Sequence, residues 1–514
     1  MKSIYNSKPL IKCSQCGKFH LPINHQVFSD FPIDPLELVN DYIQMGVIKA
    51  NSLKVAEQIT QQDMIIALDR TSLTQGKISQ LAKDLIAQAG GIDAILSAAF
   101  GGKSKELLQD TMQHQAFSRR RFLQQVLIGA ALVTLANCTP APEITNEAET
   151  ATTLEKKHLK IGFIPITCAT PIIMSDPLGF YDKYGLKVEL VKMNSWAQVR
   201  DSAIAGELDA YHTLSPMPIA MTLGLGSPAI PIKLASIENT NGNAITVAMK
   251  HKNKVKNPED FKGFRIAIPF VYSMHNLLLR YYLATGKINP DKDVEVVTLP
   301  PAEMLDRLKT GLIDAMIVAE PFNQIAVQQK IGFIHLLTQE LWSGHPCCAF
   351  AASDSWIKEH PSTFRAVNKA IIDGANYARN PNNRREIAKA IAKEKYLNTP
   401  EKILEEILTG DFEDGLGNSR HIPQRIDFDP YPWKSFSYWI TSQLRRWKLL
   451  PSYHETDEAI ADEVFMTGLA RQLAKQLGQT PPTLIMRYEK LKYEWFDPTD
   501  PQKYLTQQIQ KYGF

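Results

Sequence analysis

The stretch Leu159-Lys160-Ile161-Gly162-Phe163-Ile164 is a short apolar strand that begins a repeated alternation of strands and helices. A helix opens shortly after it, at Pro171-Ile172-Ile173-Met174. The next strand, Leu186-Lys187-Val188-Glu189-Leu190, alternates apolar and charged residues, as a strand with one buried face does. Strand, helix and strand repeated in this manner predict parallel α/β sheets, and we expect two of them.

The alternation continues toward the C terminus. Gly206-Glu207-Leu208-Asp209-Ala210 ends one helix and enters a strand. Further strands are predicted at 264–269, 294–297 and 315–319, with a helix at 276–284. The part from 364 to 473 is expected to be mainly helical.

An export signal precedes this region. Ser118-Arg119-Arg120-Arg121-Phe122-Leu123 is followed by an apolar run, 126–136, and then by Cys138. The run is shorter than the roughly 20 residues that a spanning helix needs, which favours a cleaved signal. Twin arginines at Arg119 and Arg120, an apolar core and a cysteine predict a twin-arginine signal at 116–138, with Cys138 as the site of lipidation.

Two alternatives remain open for this segment. Asn137 is larger than the small residue that usually precedes a lipidated cysteine, and a buried amphipathic helix with a basic cap would have a similar pattern. Met112 could also initiate the chain and give the signal an ordinary N-terminal position. We expect either alternative starts or an N-terminal region fused ahead of the signal.

The first 30 residues contain a Cys/His knuckle. Cys13 and Cys16 form a C-x-x-C turn, and His20 and His25 could complete tetrahedral zinc. A reduced pair without metal is the alternative. Residues 31–115 have apolar residues at helical spacing and predict a small helical domain of unknown role, and 139–157 is a linker of Thr, Pro, Ala and Glu.

Composition narrows the classes of function. The chain has 514 residues and a net charge of +3, with no long basic block, so nucleic-acid binding has no electrostatic support. The apolar fraction of 44% is that of a globular protein. Six cysteines in a chain of this length do not imply a disulfide framework.

An ordered set of motifs carries a family resemblance over roughly 159–504. The motifs are Leu178-Gly179-Phe180-Tyr181, Ser195-Trp196-Ala197-Gln198, His212-Thr213-Leu214-Ser215-Pro216, Asn241-Gly242-Asn243, His275 before Leu279-Arg280-Tyr281-Tyr282, Glu320-Pro321-Phe322-Asn323, His345-Pro346 and Phe496-Asp497-Pro498. Their succession resembles the nitrate- and bicarbonate-binding proteins of bacterial ABC importers, within the nitrate/sulfonate/taurine group.

The resemblance implies a two-lobed, periplasmic-binding-protein-like α/β fold (type II) over 158–514, with a second lobe at approximately 252–345. A small mainly helical N-terminal domain and the export signal would precede it. The ligand would lie between the lobes. By resemblance, Trp196 would wall the pocket, Asn243 would stand where the family has a glutamine, and His275 would contact the anion.

Other positions depart from the family. The family has a lysine or an acidic residue after its His-Pro pair, whereas Cys347 and Cys348 stand here. Cys168 lies near a position that is usually acidic. We expect these three cysteines to converge on the cleft with His275, where thiols could favour a soft metal, a metal-chelated ligand or a thiol-reactive one. Buried small apolar residues or an oxidised pair are the alternatives.

The resemblance implies a binding protein and no catalytic residue. Its partners would be a small solute, ABC permease subunits and the membrane, through the signal or a lipid anchor, at the periplasmic side of the cytoplasmic membrane. Two other functions stay open. One is a ligand sensor for a regulatory partner. The other is an enzyme similar to the pyrimidine synthase of thiamin biosynthesis, whose cysteine-rich motif the Cys347-Cys348 pair partly matches.

Overall fold

The computed structural model of the chain describes residues 11–12, 19–20, 154–451, 456–482 and 484–514. The strands, in chain order, are β1 (Ile11–Lys12), β2 (Phe19–His20), β3 (His158–Phe163), β4 (Lys187–Lys192), β5 (Ala210–Leu214), β6 (Ile232–Asn241), β7 (Asn243–Ala248), β8 (Arg265–Ile268), β9 (Glu295–Thr298), β10 (Ala315–Ala319), β11 (Gly332–Leu337), β12 (Pro346–Ser353), β13 (Asp411–Glu413), β14 (Ser419–His421), β15 (Ile426–Asp427), β16 (Glu489–Lys490) and β17 (Trp495–Phe496).

The helices connect and cover these strands. In chain order they are α1 (Thr170–Met174), α2 (Phe180–Lys183), α3 (Trp196–Ile204), α4 (Met217–Thr222), α5 (Met274–Thr285), α6 (Pro301–Lys309), α7 (Phe322–Gln328), α8 (Asp354–Glu359), α9 (Pro361–Arg379), α10 (Arg384–Ile391), α11 (Glu401–Thr409), α12 (Lys434–Arg446), α13 (Asp457–Val464), α14 (Thr467–Gln476) and α15 (Pro501–Tyr512). The described residues 154–451, 456–481 and 486–514 belong to one compact unit.

That unit contains two sheets, which define its two lobes. The sheet of lobe 1 has the strand order β15-β6-β12-β5-β3-β4, and the sheet of lobe 2 has the order β11-β7-β10-β8-β9. The strands of lobe 2 lie between Asn243 and Leu337, so β7 precedes the predicted start of the second lobe near residue 252.

Both sheets are mixed, which corrects the expectation of parallel sheets. β3 runs parallel to β4 and β5, and β8 runs parallel to β9 and β10, as the alternation of strands and helices predicts. β12 is antiparallel to β5 and β6, and β7 is antiparallel to β10 and β11. These added strands belong to the segments that lead the chain between the lobes, and antiparallel pairing needs no helical crossover.

The chain enters lobe 2 through a sharp bend between β6 and β7. Asn241 and Gly242 both have positive φ, at 61° and 80°. A Cβ atom at Gly242 would lie 2.9 Å from Asn239 Nδ2 and 3.0 Å from Ile426 Cδ1. Both the left-handed conformation and the close packing therefore favour glycine here. The bend places the first residue of β7, Asn243, beside the elements of lobe 1.

Apolar side chains cover both faces of the lobe 1 sheet. One buried cluster joins its strands to α9 and contains Leu159, Ile161, Phe350, Phe364, Val367 and Ile371. Another joins β3 and α1 to α10 and α11 and contains Phe163, Ile173, Ile387, Leu404 and Ile407. In lobe 2, α6 packs on the sheet through Met304, Leu308, Met316 and Val318. The cores hold the strand ends, and the loops that follow them, in fixed positions.

Several predictions fall outside the described residues. They are the knuckle residues Cys13, Cys16 and His25, the helical domain 31–115, the signal with Arg119, Arg120 and Cys138, and the linker as far as 153. The backbone of His20 is described as the end of β2, which pairs with β1 in antiparallel register. Among the helices of the described residues, none has the length and hydropathy of a bilayer-spanning segment.

Candidate functional site

Three cysteines from two parts of lobe 1 lie together. Cys168 belongs to a single 3-10 turn after β3, and Cys347 and Cys348 are successive residues of β12. The Sγ atom of Cys347 lies 3.6 Å from Sγ of Cys168 and 3.6 Å from Sγ of Cys348. All three are free thiols with no exposed surface. The structure thus brings together the three cysteines that the sequence predicts in the cleft.

Asn243 and His275 extend this group from lobe 2. Asn243 opens β7, and His275 lies in the first turn of α5, whose N-cap Ser273 accepts a hydrogen bond from the backbone N–H of Asn276. His275 Nε2 lies 2.9 Å from Asn243 Oδ1, and Cys347 Sγ lies 3.3 Å from the same oxygen. The carboxamide oxygen therefore joins the histidine of lobe 2 to the sulfurs of lobe 1.

Trp196 and His212 extend this group of residues within lobe 1. Trp196 opens α3, and its ring packs edge-on against that of His212 on β5, with ring centroids 5.2 Å apart. Both side chains are buried, and His212 was not predicted as a site residue. Its only signal in the sequence is its place within one of the family-like motifs. Ser215, in the same motif, donates its backbone N–H to the Cys347 carbonyl at 2.9 Å.

Cys347 is the common neighbour of the histidines. Burial lowers the pKa of His212 to about 3 and that of His345 to about 4, and it also lowers the pKa of His275. The Cys347 sulfur opposes the shift in all three. We call Cys168, Trp196, His212, Ser215, Asn243, His275, Cys347 and Cys348 the cleft cluster. Its histidines are neutral at pH 7, so they supply hydrogen bonds and no positive charge.

The cleft cluster contains buried polar atoms that have no protein partner. They are Trp196 Nε1, both ring nitrogens of His212, Ser215 Oγ, Asn243 Nδ2 and His275 Nδ1. Each buried polar atom without a partner costs roughly 1–3 kcal/mol, and native structures retain few of them without a reason. Unpartnered polar atoms contributed by both lobes are what a site for a small polar ligand requires.

No buried cationic side chain of the described residues pairs with the cleft cluster. None of their lysines is buried, and the four buried arginines have partners elsewhere. These partners are Asp291 for Arg280, Asp427 for Arg384, Glu320 for Arg425 and Gln508 for Arg446. Within the described residues, the family-like site therefore has no buried cationic side chain to replace the lysine that is missing after the His-Pro pair.

The lobes are also joined beside Cys168. The backbone N–H and the hydroxyl of Thr167 both donate to the Glu320 carbonyl, at 2.9 and 3.1 Å. The Glu320 side chain, at the end of β10, forms a fully buried ion pair with Arg425. Arg425 also donates to Gln324 Oε1 at 2.8 Å. This pair stabilises the end of β10 next to the cleft cluster.

We expect acid to destabilise the fold through the buried histidines. Between about pH 6.5 and the lowered pKa of His212, the unfolded chain binds a proton that the folded chain does not. The contribution of the neutral histidine to the free energy of unfolding is therefore fully present above about pH 6.5. It falls as the pH falls, by up to about 1.4 kcal/mol per pH unit for one histidine. Urea unfolding between pH 7 and pH 4 measures this slope. His212→Gln should reduce the slope relative to that of the wild type. Equal slopes in the wild type and His212→Gln would contradict the assignment.

Two lobes with mixed sheets, joined by crossing strands and enclosing unpartnered polar atoms from both sides, define a two-lobed solute-binding protein. Comparison with known proteins identifies the family: the chain belongs to the family of the nitrate- and bicarbonate-binding proteins. Residues 152–392 match the model of the NMT1-like family. This confirms the family resemblance that the sequence motifs carry.

The relatives agree with this assignment. The nitrate/nitrite binding protein NrtA of Nostoc sp. PCC 7120 is 33% identical over 393 residues, which cover 71% of this chain and 88% of the relative. The bicarbonate-binding protein CmpA of Synechococcus elongatus PCC 7942 is 30% identical over 395 residues, which cover 69% and 87%. The crystal structure of the periplasmic nitrate-binding protein NrtA from Synechocystis PCC 6803 matches with a TM-score of 0.66 and 28% identity, over 69% of this chain and 99% of that one.

These comparisons confirm the predicted two-lobed fold and the prediction of a binding protein. The relatives are solute-binding proteins and import ATP-binding proteins, which are not enzymes of the thiamin pathway. They give no support to the sensor or to the pyrimidine synthase-like alternative. The role of each residue in the cleft cluster stays a prediction.

Proposed function

We propose that the chain is the solute-binding subunit of an ABC importer and captures a small solute of the nitrate, bicarbonate and sulfonate class between its lobes. The observation that carries this proposal is the set of unpartnered polar atoms in the cleft cluster. Trp196 and His212 belong to lobe 1, and Asn243 and His275 belong to lobe 2. A solute that contacts both sets gains its full binding energy only when the lobes are closed, so it shifts the population toward the closed form.

The hydrogen-bond donors and acceptors of the cleft cluster favour some solutes over others. Trp196 Nε1 and Asn243 Nδ2 are N–H donors, which suit the oxygens of an anion. His275 Nε2 faces the accepting oxygen of Asn243 and so carries the proton, which leaves Nδ1 as an acceptor. A solute that both accepts and donates, as bicarbonate does, would satisfy this arrangement better than nitrate, which only accepts.

Location and partners follow from the family. The relatives include nitrate and bicarbonate import ATP-binding proteins, such as NrtC of Synechocystis PCC 6803, of which this chain covers 46%. We infer a permease and an ATP-binding subunit as partners, on the periplasmic side of the cytoplasmic membrane, with Cys138 as the lipid anchor. N-terminal mapping of the protein from its membrane fraction tests the anchor, and an unprocessed cytoplasmic chain would contradict it.

Isothermal titration calorimetry of the reduced, full-length chain tests the proposed function. We expect one solute among bicarbonate, nitrate, nitrite and taurine to bind with a stoichiometry of one, and bicarbonate to bind more tightly than nitrate. Absence of binding for all four would overturn the proposed solute class. Nitrate binding more tightly than bicarbonate would overturn the hydrogen-bonding argument from Asn243 and His275.

A further inference from the structure

The three sulfurs of the cleft cluster have the arrangement of a metal site. The Sγ atoms of Cys168, Cys347 and Cys348 all lie within 4.8 Å of one another. Two of the three pairs are at 3.6 Å. The ligands come from two elements, the turn after β3 and strand β12, and each side chain is fully buried. A central ion could therefore contact all three sulfurs without opening the fold.

Neighbouring groups leave the sulfurs available. No disulfide joins these cysteines. The Sγ of Cys347 has Asn243 Oδ1 as its other polar neighbour, and that oxygen also orients His275. Metals bind the thiolate form of cysteine, so a metal ion that binds these three residues displaces their protons to solvent.

The three cysteine sulfurs favour some metal ions over others. Thiolates are soft ligands and favour Cu(I), zinc and iron–sulfur clusters. Structural zinc sites are closed by four ligands, and no fourth His, Cys, Asp or Glu among the described residues joins this group of sulfurs. The polar nitrogens of His212 and His275 lie outside it. Three fully buried sulfurs suit a soft ion that accepts three ligands.

We propose that Cys168, Cys347 and Cys348 bind one Cu(I) ion at the sulfur end of the cleft cluster. The inference deepens the proposed function and rests on it, because the ion occupies the site that holds the solute. Trp196 Nε1 and Asn243 Nδ2 remain free to donate to a ligand beside the metal.

Anaerobic titration of the full chain with Cu(I), against the chelator bathocuproine disulfonate, tests the site. The chain carries C13S, C16S and C138S, so that only the three cleft cysteines remain. We expect one Cu(I) per chain, and X-ray absorption should show three sulfur neighbours and no nitrogen. C347S, C168S and C348S should each lose more than the roughly 10- to 100-fold in affinity that removal of an outer partner costs. Asn243→Ala should lose about that smaller amount.

Control experiments distinguish the loss of copper ligation from unfolding and from the loss of solute binding. Ser236→Ala, which removes a buried hydroxyl that donates to Asn368 outside the cleft cluster, should keep the wild-type copper affinity. C347A repeats the test with a smaller side chain if C347S unfolds, and thermal unfolding reports on both. Failure to retain Cu(I), zinc binding without copper binding, or a mass lower by two hydrogens from a disulfide would each overturn the inference. If calorimetry still shows a bound solute in those cases, the proposed function stands.

Discussion

Replacing Trp196 and His275 together by alanine should abolish solute binding. Both side chains are buried, and each has a ring nitrogen without a protein partner. A hydrogen bond to a charged group contributes about 1.5–3 kcal/mol, so the loss of two weakens binding by at least about 100-fold. Calorimetry with the solute that the wild type binds measures the effect. An unchanged affinity in Trp196→Ala/His275→Ala would refute the location of the site.

The chain offers a matched control for this double variant. Trp356 and His360 are a stacked tryptophan–histidine pair in lobe 1, with ring centroids 5.0 Å apart. Trp356 Nε1 donates to Asp209 Oδ1 at 2.8 Å, so its nitrogen already has a protein partner. Trp356→Ala/His360→Ala should lower stability but keep the solute affinity. Equal losses of affinity in both double variants would indicate a general effect of unfolding.

Arg425→Met should destabilise the fold by about 3–5 kcal/mol, because it leaves the Glu320 carboxylate buried and unpaired. The side chains of Arg425 and Glu320 are each about 1% exposed. Gln324 loses its hydrogen bond to the guanidinium, and the ring of Phe412 loses the nearer of its two cations, Arg425 Cζ at 4.0 Å, and keeps Arg420 Cζ at 5.5 Å. Urea unfolding of the variant measures the free energy of unfolding.

An exposed ion pair provides the control variant for Arg425→Met. Arg385 and Glu405 are paired at 2.5 Å, but their side chains are 72% and 37% exposed. Arg385→Met should therefore change the free energy of unfolding by no more than about 1 kcal/mol. Similar effects of Arg425→Met and Arg385→Met would show that burial of the Glu320 carboxylate does not control the stability at the end of β10.

Much of the strand and helix order could be read from the sequence, whereas strand direction could not. The apolar run at 315–319 is strand β10 as predicted, and the helix predicted at 276–284 is part of α5. The sequence periodicity of β7 and β12 does not distinguish parallel from antiparallel pairing, because strands have a side-chain period of two in either kind of sheet. Their direction follows from the two crossings between the lobes, the first of which, from β6 to β7, runs through the bend at Gly242.

The residues of the cleft cluster could likewise be predicted only in part from the sequence. Cys168 and Cys347 are 179 residues apart, and only the resemblance to a family suggested that they meet. His212 and Ser215 lie on and beside a fully buried strand, where an alternation of polar and apolar residues carries no information about which side chains face a ligand. Their lack of partners is a property of the packed structure. It is this property that identifies the site.

Small-angle X-ray scattering of the full chain, with and without the solute found by calorimetry, tests the central claim most directly. The claim is that a solute held between Trp196 and His212 of lobe 1 and Asn243 and His275 of lobe 2 closes the two lobes. We predict that saturating solute lowers the radius of gyration of the wild type and leaves that of Trp196→Ala/His275→Ala unchanged. An unchanged radius of gyration in a wild-type sample with solute bound would contradict the claim.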